Sequence, residues 1–163
     1  MDPARIQINV VDRSNDTSLA VARQTYPDHI PANSVWEMVD GILERIGRAR
    51  SADGTANVVI DFLRIVAHGN VGVQYMGDSH NTSNRRQMIA VDSSGHLMNR
   101  GTLVRLRGYF AVGATVELHG CHAGAEHWGQ ELVRDLETLW GVRVRASAAT
   151  QYFSTPGLDY FGH

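Results

Sequence analysis

The chain has 163 residues, of which 43% are hydrophobic and 20% charged, and its formal net charge is −2. These values fit one compact domain with a sizeable core and exclude a collagenous or low-complexity chain. The small negative charge argues against a module that binds nucleic acid by neutralising many phosphates. All 15 basic residues are arginines, which excludes Schiff-base chemistry on a lysine and a phosphate-loop lysine.

The apolar stretches are too short to span a membrane, and the first residues show no charged leader followed by an apolar run. We therefore expect a cytoplasmic protein in which residues 1–163 form a single domain, with neither a membrane nor a nucleic acid as partner. Cys121 is the only cysteine, so an intramolecular disulfide is impossible.

The first third of the chain predicts one strand and one helix. Residues 5–12 alternate apolar and polar side chains, which indicates a strand with one buried face. A polar, proline-containing stretch then predicts a long loop. A helix is expected to begin after Asn33 or Ser34 and to run to about Arg50, because Glu37 completes a capping box and an apolar stripe follows.

The middle of the chain predicts a buried strand and two shorter ones. Residues 58–67 are almost continuously apolar and rich in β-branched side chains, as in a central parallel strand covered on both faces. This strand ends at His68-Gly69. Val71–Met76 and Arg85–Val91 predict two short strands joined by a polar loop.

The last third again alternates helix and strand. A weak helix is predicted to begin at Asn99 or Thr102, and a strand to cover Ala114–Leu118. A clear amphipathic helix is then predicted over Ala125–Trp140, followed by an edge-like strand over Val142–Ala146. No further element is predicted after it. The order predicts an α/β fold, a three-layer αβα sandwich around a mainly parallel sheet of about five to six strands.

Two of the predicted strands end in residues with chemical potential. One ends at His68-Gly69 and the other at Gly120-Cys121, and sites in such sheets form beyond the carboxyl ends of the strands. A thiol needs a neighbouring imidazole to take its proton before it attacks a carbonyl carbon. Flanking glycines let the backbone turn sharply and direct N–H donors at an oxyanion. We therefore expect His68 and Cys121 to lie close together.

The segments FLRIVAHGNVG and TVELHGCHAG resemble the caspase-like cysteine peptidases, a group that includes caspases, metacaspases, legumain, gingipains and self-cleaving toxin domains. The stretch from Asp61 to about Thr150 is similar to a bacterial caspase-like domain found at the N-terminus of large surface proteins. This resemblance implies that Cys121 is the nucleophile and His68 the general base and then acid. It also implies an oxyanion hole made by the N–H groups of Gly69 and Cys121, a polypeptide substrate, and no cofactor.

Selectivity for the substrate side chain is less clearly marked. Metacaspases carry an aspartate two residues before the cysteine, where this chain has His119. We expect His119, Ser147 in the segment after the next strand, and Asp78 in the polar loop to contact the substrate. The preferred P1 residue would then be small, polar or acidic, or else basic with Asp78 as its counter-charge.

Four other interpretations of the sequence remain open. The chain could be a non-catalytic caspase-like module that binds a partner protein or activator, or a self-processing domain of a larger toxin or surface protein. A small zinc module would use His119, Cys121, His122 and His127, but no second ligand cluster has the spacing of a structural site, so we predict no metal. The simplest interpretation makes Cys121 a buried strand-end thiol.

Overall fold

A computed structural model of the chain describes residues 2–14, 17–54, 57–77 and 84–150. Within these residues the main sheet has five parallel strands. In spatial order they are β2 (Ile30–Ala32), β1 (Ala4–Asp12), β3 (Val58–Val66), β7 (Phe110–His119) and β8 (Arg143–Ala146).

A second, antiparallel sheet is built from the part of the chain between β3 and β7. Its three strands are β4 (Gly69–Asn70), β5 (Val73–Tyr75) and β6 (Met88–Ala90). The predicted short strands are therefore present, but each is shorter than its sequence pattern indicated. The first of them is preceded by β4, which directly continues from the end of the central strand.

The helices flank the main sheet, and the predicted α/β fold is confirmed. They are α1 (Ala20–Thr25), α2 (Val35–Asp53), α3 (Arg100–Leu103) and α4 (Glu126–Trp140), with 3-10 turns at Thr17–Leu19, Arg85–Gln87 and Val104–Leu106. Among the described residues no helix is both long and apolar enough to cross a membrane.

The strand order explains which face each helix covers. The chain moves from β1 to β2 in one direction, and then through β3, β7 and β8 in the other. Right-handed crossovers therefore place α1 on one face and α2 and α4 on the opposite face. The buried side chains agree, because Leu63 and Val116 belong to the main core with α2 and α4, whereas Val11 and Val66 pack with Leu19 beside α1.

The start of α2 follows the predicted capping pattern. Ser34 Oγ accepts a hydrogen bond from the Glu37 backbone N–H at 3.1 Å, and a Glu37 carboxylate oxygen accepts one from Asn33 N–H at 2.8 Å. Both bonds satisfy donors that a helix N-terminus leaves unpaired. The helix ends at Asp53, slightly later than predicted, because Gly54 is the first residue in the left-handed region.

The prediction of one long loop after β1 was wrong, because α1 and β2 lie there. Both elements are too short to produce a period that a sequence shows, and β2 contains Pro31. Burial of Leu19 and Ala22 against the sheet holds α1 in place. β7 also begins earlier than predicted, at Phe110, and its pairing with β3 shifts in register there. Residues 151–163, where no element was predicted, lie outside the described residues.

Candidate active site

The carboxyl ends of β3 and β7 lie side by side. The last paired residues of these strands are Val66 and His119, and the next residue, Ala67, donates its N–H to the His119 carbonyl oxygen at 3.1 Å. His68 and Gly120 therefore leave neighbouring strands at the same edge of the sheet. The structure thus brings together the two strand ends that the sequence singled out.

The backbones of Gly69 and Cys121 are in direct contact. A Cβ placed on Gly69 would lie 2.8 Å from the Cys121 carbonyl oxygen and 3.0 Å from the Cys121 nitrogen. In the hairpin, Tyr75 N–H donates to the His68 carbonyl oxygen at 2.8 Å, and Gly69 is the next residue along. Because hydrogen-bonded pairs alternate in an antiparallel ladder, the Gly69 N–H points away from β5. The two predicted oxyanion donors therefore lie on adjoining segments.

Cys121 sits in a tight turn between β7 and α4. Ala123 N–H donates to the Gly120 carbonyl oxygen at 3.4 Å, and Ala125 N–H donates to the His122 carbonyl oxygen at 2.9 Å. His122 has a φ of 56°, a backbone conformation that costs energy in a residue with a side chain. The cysteine is partly exposed. A strained strand–turn–helix bend is one way in which proteins present a nucleophile to substrate.

His122 joins this turn to the segment after β8. Its N–H donates to the Ala149 carbonyl oxygen at 3.0 Å, and its ring nitrogens lie 3.1 Å from the Ala148 carbonyl oxygen and 3.1 Å from Thr150 Oγ1. Since a carbonyl only accepts, Nδ1 carries a proton and donates to Ala148, while Nε2 pairs with the threonine hydroxyl. Both nitrogens of His122 are therefore occupied in holding the two segments together.

Asp12 is a site residue that the sequence interpretation missed. It is the last residue of β1, the strand next to β3, and it is fully buried. Its carboxylate accepts hydrogen bonds from Ser14 N–H at 2.8 Å and from the Gly77 backbone. Burial raises the pKa of Asp12, while these hydrogen bonds and the charge of His68 act in the opposite direction. Val11 of β1 pairs with Val66 of β3, so Asp12 and His68 follow that pair at neighbouring strand ends.

The only signal for Asp12 in the sequence is its placement. It stands at the end of an alternating strand, as His68 and Cys121 stand at the ends of theirs. Three neighbouring strands, β1, β3 and β7, thus each contribute one residue with proton-transfer or nucleophilic chemistry to the same edge. The connections that leave β1 and β3 run in opposite directions, and ligands in open α/β sheets bind at such switch points.

His119, a predicted substrate-binding residue, is buried beneath this edge. Its Nε2 lies 3.0 Å from a carboxylate oxygen of Glu117, which is itself buried. The second Glu117 oxygen accepts from Arg145 at 3.2 Å, and the Arg64 Nε lies 4.0 Å from the first. An acid therefore lies four residues before the cysteine, but the charge of Glu117 is shared with His119, Arg145 and Arg64.

Ser147 and Asp78 are the other two predicted substrate-binding residues. Ser147 is buried, and its Oγ both donates to the Ala149 carbonyl oxygen and accepts from the Ala149 N–H, each at 3.1 Å. The hydroxyl therefore closes a local turn. Asp78 lies outside the described residues. Within the described ranges, no group of three or more His, Cys, Asp or Glu side chains could hold a metal ion.

Comparison with known proteins gives one family. Neither the curated proteins nor the solved structures include a match to this chain. One family model matches residues 40–151, a span that contains His68 and Cys121 and begins after Asp12. Since this span is well over half of the chain, the protein belongs to the family described as Domain of unknown function (DUF4347).

Proposed function

We propose that the protein is a caspase-like cysteine endopeptidase in which Cys121 and His68 carry the chemistry. The observation that supports this most is the contact between the two strand ends, with the Gly69 backbone packed on that of Cys121. A nucleophile, a base and two backbone N–H groups at one sheet edge are the parts that acyl transfer needs. The family resemblance of the two segments that contain them points to the same activity.

In the proposed mechanism His68 takes the proton from Cys121 Sγ, and the sulfur attacks the carbonyl carbon of the scissile peptide bond. The N–H groups of Gly69 and Cys121 stabilise the resulting oxyanion. His68 then gives its proton to the departing amine as the C–N bond breaks, which leaves a thioester on Cys121. Water attacks the thioester, His68 takes its proton, and the proton returns to the sulfur as the C–S bond breaks.

Asp12 extends this pair to three residues. A buried carboxylate beside an imidazole orients the ring and stabilises the imidazolium that forms during each proton transfer. Ser14 and Gly77 hold the carboxylate in turn, so that Asp12 is fixed before substrate arrives. We therefore assign Asp12 as the residue that positions His68.

An acyl-type probe that reacts with activated thiols tests the proposal on the native protein. Labelling of Cys121 is expected, and His68→Ala should reduce its rate by at least about a hundredfold, which is the scale of a general base. His96→Ala is the matched control, because His96 is a largely exposed histidine in the loop after β6. Equal labelling of the wild type and His68→Ala would favour a non-catalytic module instead.

Peptide hydrolysis separates the endopeptidase from a self-processing domain. Incubation of the wild type and Cys121→Ser with a peptide library, followed by mass spectrometry, detects cleavage of both the peptides and the chain itself. We expect cleaved peptides only with the wild type. Cleavage confined to the protein's own chain would identify the self-processing alternative.

A further inference from the structure

Gln74 joins the small sheet to the two strand ends of the candidate site. It lies in β5 and its side chain is fully buried. Its Nε2 lies 3.2 Å from the carbonyl oxygen of His119 and 3.4 Å from those of Ile65 and Ala67. One amide therefore donates hydrogen bonds to both β3 and β7, immediately before the residues His68 and Gly120.

The orientation of this amide is fixed by its surroundings. Rotating it would place Oε1 against three carbonyl oxygens, which cannot donate, so Nε2 must face them. Oε1 then points at Gly120, where a Cβ would lie only 2.2 Å away. Oε1 is buried, and no donor in the described parts of the chain reaches it. A buried oxygen without a donor costs free energy. The hydrogen bonds that Nε2 donates therefore hold the amide in this position.

We infer that Gln74 is a positioning residue that sets the spacing between His68 and Cys121; this inference rests on the proposed function. Direct pairing of β3 with β7 ends at Val66 and His119. Beyond that point His68 turns into the hairpin and Gly120 turns toward α4. The Gln74 amide supplies the next cross-connection, because it donates to the last carbonyl groups of both strands.

The geometry also explains two neighbouring residues. Gly120 lacks the side chain that would collide with Oε1, and so it lets the amide approach the peptide next to Cys121. His119 presents its carbonyl oxygen to both Ala67 N–H and Gln74 Nε2. Loss of the amide would leave that second hydrogen bond unmade and let the two strand ends separate. The thiol would then lose its aligned base while the rest of the sheet stayed paired.

The pH profile of Cys121 alkylation by iodoacetamide, measured on the full folded chain, tests this role. Gln74→Met keeps the side-chain length but removes the donors. At pH 6, where an unassisted thiol is almost fully protonated, we expect it to slow alkylation about tenfold relative to the wild type. Trp140→Phe is the matched control, since it removes another buried side-chain hydrogen bond, from Trp140 to the Leu103 carbonyl oxygen at 2.8 Å.

The control should melt earlier yet keep the wild-type profile, because its change lies far along α4 from the site. A Gln74→Met profile that superimposes on the wild type would overturn the inference. If Gln74→Met does not fold, Gln74→Asn gives the same comparison, as it keeps the amide but cannot reach the carbonyl groups. The variant His68→Ala separates this inference from the proposed function. If His68→Ala keeps the wild-type pH profile, both proposals fail. If His68→Ala flattens the profile and Gln74→Met does not, only the role of Gln74 fails.

Discussion

Gly69 packs so tightly on Cys121 that a Cβ on the glycine would lie 2.8 Å from the cysteine carbonyl oxygen and 2.9 Å from the carbonyl carbon of Gly120. Both are backbone atoms, which cannot move aside as the end of a flexible side chain can. The backbone that carries Cys121 is therefore shaped by the absence of a side chain on the neighbouring strand end.

Gly69→Ala should consequently displace the Cys121 turn. We expect turnover to fall about a hundredfold, the usual loss when one oxyanion donor is misplaced, and stability to fall by about 1–3 kcal/mol from the overpacking. Gly47→Ala is the control, because a Cβ at Gly47 in α2 meets nothing within 4 Å. That change should stabilise the helix by about 0.5–1 kcal/mol and leave turnover intact. Thermal melts measure the change in stability, and peptide turnover measures the change in activity. Wild-type turnover in Gly69→Ala would contradict the proposed oxyanion hole.

Asp12→Asn should separate stability from activity. Burial raises the pKa of Asp12 above its ordinary value of 3.8, so the folded protein holds this proton more tightly than the unfolded chain. The stability that the group contributes is present below pH 3.8 and is lost as the pH rises through the folded pKa. The neutral variant escapes that loss. Its stability relative to the wild type should therefore improve from acid to neutral pH, while its turnover should be lower than that of the wild type.

Urea unfolding of both proteins across that range measures the difference. Other carboxylates titrate alike in the two proteins and cancel, as does any fixed cost of placing an amide near the Ser14 and Gly77 donors. A relative stability of Asp12→Asn that worsens toward neutral pH would show that the carboxylate is a net stabilising anion, and not a residue kept at a cost for the reaction.

Glu117→Gln tests the buried charge cluster beneath the site. Removing the carboxylate leaves His119, Arg145 and Arg64 without their shared partner in a region where the glutamate side chain is only 9% exposed. Breaking a buried ion pair typically costs about 3–5 kcal/mol. Glu44→Gln breaks the pair with Arg48 on the exposed face of α2, where the glutamate side chain is 64% exposed, and should cost less than about 1 kcal/mol. Similar denaturation midpoints for the two variants would contradict a buried network.

The same cluster supports the predicted substrate preference. Because the Glu117 charge is already neutralised by its neighbours, it offers little to a basic substrate side chain. We expect cleavage after small, polar or acidic residues, or after basic ones with Asp78 as counter-charge. A peptide-library profile decides this, and strong cleavage after arginine that survives Asp78→Ala would show that the substrate pocket lies elsewhere.

The parts of the fold that the sequence predicts well are those whose burial repeats with a period. The continuous apolar run of β3 and the amphipathic stripe of α4 are two such cases, and the Ser34 cap is a third because its hydrogen bonds are local. The elements α1 and β2 escaped prediction because they are too short to show a period. Their positions depend on contacts with strands that are distant in sequence.

Some residues of the candidate site are likewise predictable from the sequence and others are not. His68 and Cys121 stand out because each ends an apolar run beside a glycine. Asp12 has the same placement, but an aspartate at the start of a polar loop is common, and the sequence does not indicate that this one is buried. Gln74 could not be predicted, because its partners are backbone carbonyl groups, which every residue has, and because β5 is only three residues long.

The strand order of the main sheet has a consequence for folding. Asp12, His68 and Cys121 are separated by 56 and 53 residues along the chain, and they meet only after β1, β3 and β7 have paired in register. Such non-local pairing is slow, because the closure of long loops costs entropy before the contacts form. During refolding, helical signal should therefore return before thiol reactivity does. A newly made chain would not bring the strand ends of His68 and Cys121 together until its sheet is complete.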